Sequence, residues 1–214
     1  MNSVNPSAVI IAGDLPGLKH LLVNGLSLQA RDERGSTLLL AAAFHGHLAI
    51  VEFLIQQGVN VNEGNEVNYT PLMTAGREKR AEVVEALLRA KADPEITAQG
   101  MKAVHWALMN TIPMGPPWET ETRLIEILKT FKRYGANLNT KGERGNTPLM
   151  DAAWWGLADV IKFLIAEGAN PDERDNDGKT AVDFARIRLA KNFSAEINAG
   201  YQKVIQILTN STRR

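Results

Sequence analysis

The sequence predicts an all-α solenoid of about six helix-turn-helix units joined by short finger turns. Three observations carry this. The segment GSTLLLAAAFHGH at 35–47 returns as NYTPLMTA at 68–75 and as GNTPLMDAAWWG at 145–156, with weaker copies from Gly100 and Gly178. The starts fall at 35, 68, 100, 145 and 178, a period of about 33 residues with one longer step, and a period of this length marks a repeat architecture. Each copy is too short to bury its own apolar face, so only stacking on its neighbours gives a core.

The copy at 145–177 shows the physical logic of one unit. Gly145 follows a polar turn and permits a left-handed backbone. Thr147 stands where a helix begins, with Pro148 at its first position, where a missing N–H costs nothing. Leu149, Ala152 and Ala153 follow at helical spacing, and the alanines let neighbouring helices approach closely. Gly156 ends the short helix. A second helix runs from about Ala158 to Glu167, with Val160, Ile161, Leu164 and Ile165 on its apolar stripe. Gly168 closes it.

The whole chain, 1–214, reads as a single domain on this plan. Its units are about 3–34, 35–67, 68–99, 100–144, 145–177 and 178–214, the first and last serving as caps. In the first, residues 8–12 give one helix and 18–25 the second. The fourth unit carries an insertion at 111–122 between its helices, a segment whose prolines cannot continue a helix. The sixth carries an insertion near 191–200.

These residues resemble the ankyrin repeat family. Its pattern, G-x-T-P-L-H-x-A-A-x-x-G-H followed by V-x-x-L-L-x-x-G-A-x-x-N, is matched by Gly145, Thr147, Pro148, Leu149, Ala152, Ala153, Gly156, Val160, Leu164, Gly168, Ala169 and Asn170. The second unit matches through Gly35, Thr37, Leu39, Ala42, Ala43, Gly46, His47, Val51, Leu54, Gly58 and Asn60. The histidine of the Thr-Pro-Leu-His motif is kept only as His105; Leu40, Met73, Met150 and Asp183 replace it elsewhere. The resemblance gives His47 a structural role and has His105 bonding backbone across a unit junction.

Composition narrows the partners. The 24 basic and 24 acidic residues balance, which gives no electrostatic reason to expect nucleic acid or a membrane surface. No cysteine is present, so thiolate and disulfide chemistry are excluded. The first twelve residues lack a basic region before their short apolar run and do not read as a signal peptide. The expected location is the cytoplasm, or an exported compartment if a signal was removed, and the absence of cysteine tilts toward a bacterial or exported protein.

Three of the four tryptophans, Trp118, Trp154 and Trp155, fall at the helix-to-helix turns of units four and five, and with Phe193 they are expected at one end of the stack. Trp anchors many interfaces. The competing expectation is a local mini-core in which Trp118 folds over Trp154. By the resemblance, a partner lies against finger turns and the exposed side of the first helices. The residues so implied are Arg34, Phe44, His45, Tyr69, Arg77, Met109, Arg144, Trp154, Trp155 and Lys179, joined by Trp118 from the insertion.

Little points to chemistry. His45 and His47 have no third ligand at suitable spacing, so no metal is expected. Asp172, Glu173, Asp175 and Asp177 lack the glycine and terminal glutamate of a calcium loop and read as a turn with aspartate caps. No phosphate-binding glycine loop or nucleophile elbow occurs, and no cofactor is expected. The expectation is a non-enzymatic protein-binding module, monomeric alone, that docks a folded partner as an inhibitor or immunity-type protein of another enzyme. A host-directed effector or signalling adaptor and a self-associating structural array are the alternatives.

Overall fold

The computed structural model describes residues 6–109, 117–191 and 193–211, with only the backbone of 117–120. Twelve helices follow one another among these residues: α1 (Pro6–Ile11), α2 (Leu15–Val23), α3 (Leu38–His45), α4 (Leu48–Gln56), α5 (Pro71–Arg77), α6 (Ala81–Arg89), α7 (Ala103–Leu108), α8 (Pro117–Arg133), α9 (Pro148–Trp155), α10 (Ala158–Ala166), α11 (Ala181–Leu189) and α12 (Ala195–Ser211). The odd-numbered helices form an inner row, each packed on the next from α1 to α11, and α4 to α12 form a matching outer row. This is the all-α solenoid of helix pairs that the period predicts and that the resemblance to ankyrin repeats implies.

Local chemistry sets each inner helix. The hydroxyls of Thr37, Thr70 and Thr147 accept from the amides of Leu40, Met73 and Met150. Pro71 and Pro148 hold the first helical positions. The residues that replace the motif histidine are not idle: Met73 and Met150 sulfurs accept the amides of Thr70 and Thr147 at 3.5 and 3.3 Å. Asp183 Oδ2 accepts from both the amide and the hydroxyl of Thr180, at 2.9 and 2.8 Å.

Small residues let the inner row close up. Gly76 in α5 is fully buried, and a Cβ there would lie 3.3 Å from the Ala107 methyl of α7. Ala42, Ala43, Ala152, Ala153 and Ala185 are equally inaccessible. The outer row supplies bulk: Leu54, Leu87, Phe131 and Leu164 are fully buried. A leucine of this kind contributes about 1.5–3 kcal/mol on burial.

The finger turns are braced by side chains in register. Asp32, Asn65 and Asp175 each accept two amides of their own turn. Asn176 Nδ2 donates to the Glu143 carbonyl, and Asn68 Nδ2 to the Thr97 carbonyl, tying each turn to its neighbour.

The insertions differ from expectation. Residues 111–116 lie outside the described residues, but 117–122 are helical, because Pro117 opens α8 instead of breaking it. Residues 195–200, expected between helices, form the first turns of α12. The extension of α8 has a use. Leu157, at the N-cap of α10, offers no capping side chain. Glu121 of α8 fills in, its Oε2 accepting from the amides of Asp159 and Val160 at 2.6 and 3.0 Å. No helix among the described residues is long and apolar enough to cross a membrane.

Candidate functional site

Five of the residues expected to meet a partner come together. Met109, Arg144, Trp154, Trp155 and Lys179 line one groove of about 670 Å³. The inner helices α7, α9 and α11 position its floor through Met109, Trp154 and Ile187, and the finger turns position its polar wall through Glu143, Asp175 and Asp177. Arg144 is exposed at the turn that begins the fifth unit. Lys179 donates to Asp177 at 3.0 Å, and that hydrogen bond raises the lysine's pKa above its ordinary value.

Trp154 and Trp155 are half-buried and held by their own chain. The Arg188 guanidinium sits 4.9 Å from the Trp154 ring, 5.7 Å from Trp155 and 4.8 Å from Phe193. Lys191 lies 5.4 Å from Trp154, and Phe184 meets Trp154 edge-on at 6.1 Å. Such cation–π contacts contribute about 0.5–1 kcal/mol each at accessible sites. Trp154, Trp155 and Phe193 are therefore neighbours through Arg188, which sequence reasoning missed; the side chain of Trp118 lies outside the described residues. Tyr201 stacks on Phe193 at 6.3 Å and closes the cluster from α12.

Below the groove floor, His105 is fully buried and its Nδ1 lies 2.7 Å from Asp151 Oδ2. The expected bond from His105 to backbone is replaced by this side-chain contact with α9, the next inner helix. Asn146 Nδ2 donates to the other carboxylate oxygen at 2.7 Å. Asp151 is thereby fixed at the groove surface.

The remaining expected residues lie elsewhere. Arg34 lines a separate N-terminal concavity of about 400 Å³ with Asp32, Glu33 and Ile10. Phe44 is exposed at the end of α3, its ring edge-on to His45 at 5.0 Å. His45 stacks on His47 at 5.9 Å; burial first, then the charges of His47 and Arg80, lower its pKa. His47 Nε2 is 3.0 Å from the Ile11 carbonyl, which occupies the ring in the structural manner expected of it. Tyr69 is half-buried, packed edge-on against Trp106 at 4.7 Å, so its ring supports the core. Arg77 is exposed beside Glu78.

Asp175 and Asp177 serve as turn acceptors and as the partner of Lys179. Among the described residues, no group of three or more His, Cys, Asp or Glu is placed to hold a metal ion.

Comparison with known proteins agrees with this geometry. The family models "Ankyrin repeats (3 copies)" and "Ankyrin repeats (many copies)" match residues 7–99 and 132–185, together more than half of the chain. The chain is 28% identical over 207 residues to palmitoyltransferase AKR1 of Lachancea kluyveri, covering 81% of this chain and 28% of that protein. It thus spans less than a third of the length of that relative. It is 22% identical to the ankyrin repeat protein YahD of Escherichia coli, covering 92% of this chain and 90% of that one. Among solved structures, it resembles a chain in the complex of a predatory endopeptidase from Bdellovibrio bacteriovorus with an immunity protein. There the TM-score is 0.71 and the identity 28%, over 95% of this chain and 99% of that one. An ankyrin repeat domain from Acinetobacter baumannii superposes with a TM-score of 0.72 at 25% identity, over 97% of each chain. Ankyrin repeats mediate protein–protein binding and typically serve as non-enzymatic scaffolds. This chain belongs to the ankyrin repeat family.

Proposed function

We propose that this protein binds a folded partner protein in the groove over α7, α9 and α11 and acts as an inhibitor or immunity-type protein of an enzyme. The observation that carries the reading is the groove itself, where an aromatic floor is locked in place by Arg188 and walled by charges of both signs. Aromatic anchors held rigid before binding lose little entropy when a partner docks. Mixed charges at the rim select orientation and reject wrong partners. The inhibitory role is supported by the likeness over nearly the full length of both chains to a member of an endopeptidase–immunity protein complex.

The test is co-expression with a candidate target enzyme, such as an endopeptidase, scored by cell survival and by inhibition of the purified enzyme. The double variant Glu143→Arg/Arg144→Glu alters only exposed turn residues. Protection by the wild type, weakened in the double variant, is the expected result. Full enzyme activity in the presence of saturating wild-type protein would refute the inhibitory role.

A further inference from the structure

One position of the inner row repeats with a pattern that the family motif does not account for. Six residues after the first residue of α3, α5, α7, α9 and α11 stand Phe44, Arg77, Met109, Trp154 and Ile187. They are spaced as the unit starts are, the longer step included. Ile11, one repeat period upstream of Phe44, extends the series. Every rung but Arg77 is apolar, yet Ile11, Phe44 and Ile187 are 57%, 45% and 38% exposed. An apolar residue left accessible at one register of successive units forms a ladder along the solenoid. Met109, Trp154 and Ile187 are the rungs that share the groove.

The pitch of the ladder selects its occupant. Packed helices lie about 8–10 Å apart. An α-helix laid across them returns a residue to the same face every seven positions, a rise of roughly 10.5 Å. A β-strand repeats its face at roughly 6.8 Å and falls out of step after one rung. A polyproline II segment repeats at roughly 9.3 Å, but its backbone carbonyls are unpaired and need donors. Glu143, Asp151, Asp175 and Asp177 are acceptors and cannot serve it, and Lys179 is already bonded to Asp177, so its carbonyls would depend on Gln99, Arg144 and the indoles of Trp154 and Trp155. A helix brings its backbone hydrogen bonds with it. The carboxylates on the finger side outnumber Arg144 and Lys179, so they complement a basic flank.

We infer that the groove receives an amphipathic α-helix of the partner, with apolar residues at every seventh position on Met109, Trp154 and Ile187 and lysine or arginine on the side facing the finger turns. The inference rests on the protein-binding reading above and specifies its ligand. The stripe of a straight helix drifts by about 20° per heptad, so three rungs are engaged before it turns away.

The test uses three fluorescent synthetic peptides and anisotropy titration against the full chain. The first is a stapled helix with leucine at every seventh position and lysines on one flank. The second is the same composition with the leucines moved off that spacing. The third is a polyproline II peptide with leucine at every third position. The first should bind roughly tenfold or more tightly than the other two, and Ile187→Glu should weaken it at least several-fold, as loss of an interface anchor does. Val23→Ser, at an 87% exposed site outside the groove, should leave binding unchanged. Equal binding of the first two peptides, preference for the third, or indifference to Ile187→Glu at an unaltered thermal melt would each overturn the inference. The two readings fail separately. Loss of the peptide preference with enzyme inhibition intact sinks only the helix, whereas peptide binding without inhibition sinks only the inhibitory role.

Discussion

The hydroxyl of Tyr201 in α12 donates to the main-chain carbonyl of Trp154 in α9 at 2.9 Å, joining residues 47 positions apart. The same oxygen accepts from Arg188 Nε at 3.2 Å. One buried phenol thus fixes both the cation and the helix end that form the aromatic end of the groove. Gly156, which ends α9 at a φ of 74°, makes room for it: a Cβ there would stand 3.2 Å from the Tyr201 ring.

Replacing Tyr201 by Phe keeps the stacking on Phe193 but removes both hydrogen bonds. Loss of each bond costs about 0.5–1.5 kcal/mol. A fall of about 2–4 °C per kcal/mol in the melting temperature is expected for a chain of this size. Circular dichroism melts of Tyr201→Phe beside wild type check this, and an unchanged melt would show that water replaces the lost partner.

Glu121 caps α10 from the preceding outer helix, so it stabilises a unit junction and not its own helix. Glu121→Ala leaves two helix amides without an acceptor, and cap losses cost about 0.5–2 kcal/mol. Burial raises the carboxyl pKa, against the lowering effect of the two amides. Glu121→Gln keeps an acceptor oxygen and should recover part of the loss. Urea denaturation at neutral pH separates the two variants.

The Asp183 carboxyl is held below its ordinary pKa, chiefly by the Thr180 amide. Because the folded-state value lies below the unfolded one, the stabilisation is present above about pH 4 and is lost as pH falls through the folded value. Asp183→Asn should therefore be less stable than wild type at pH 7, and the gap should narrow toward pH 3. Parallel denaturation series across that range would expose a constant gap, which would mean that charge plays no part.

Lys79 shows the opposite sign. Its ammonium is bonded to the carbonyls of Arg77 and Met109 at 2.8 and 3.1 Å. Burial lowers its pKa to about 8. The unfolded chain holds this proton to about pH 10.4, so between pH 8 and that value the unfolded state binds more protons and Lys79 makes stability rise with pH. Lys79→Met should flatten this contribution. The difference between the two stability–pH slopes from pH 8 to 10 is the measurement, and identical slopes would refute the assignment.

The sequence by itself determined the solenoid, since its signals act on the chain near their own positions. Thr147 and Pro148 start a helix, Gly156 ends one, and the recurrence of this set once per unit requires stacking. It also marked Met109, Arg144, Trp154, Trp155 and Lys179, because turn and helix-end positions are fixed by the repeat register. Tertiary structure alone decided which of these meet, and left Arg34, Phe44 and Tyr69 elsewhere. The Arg188 nest joins two helices and the segment after α11, the Glu121 cap reaches 38 and 39 positions along the chain, and His105 finds Asp151 46 positions away. No local pattern encodes such pairs. They arise because neighbouring units pack at close range, and a buried or half-buried polar group must then take whichever partner the adjoining unit presents.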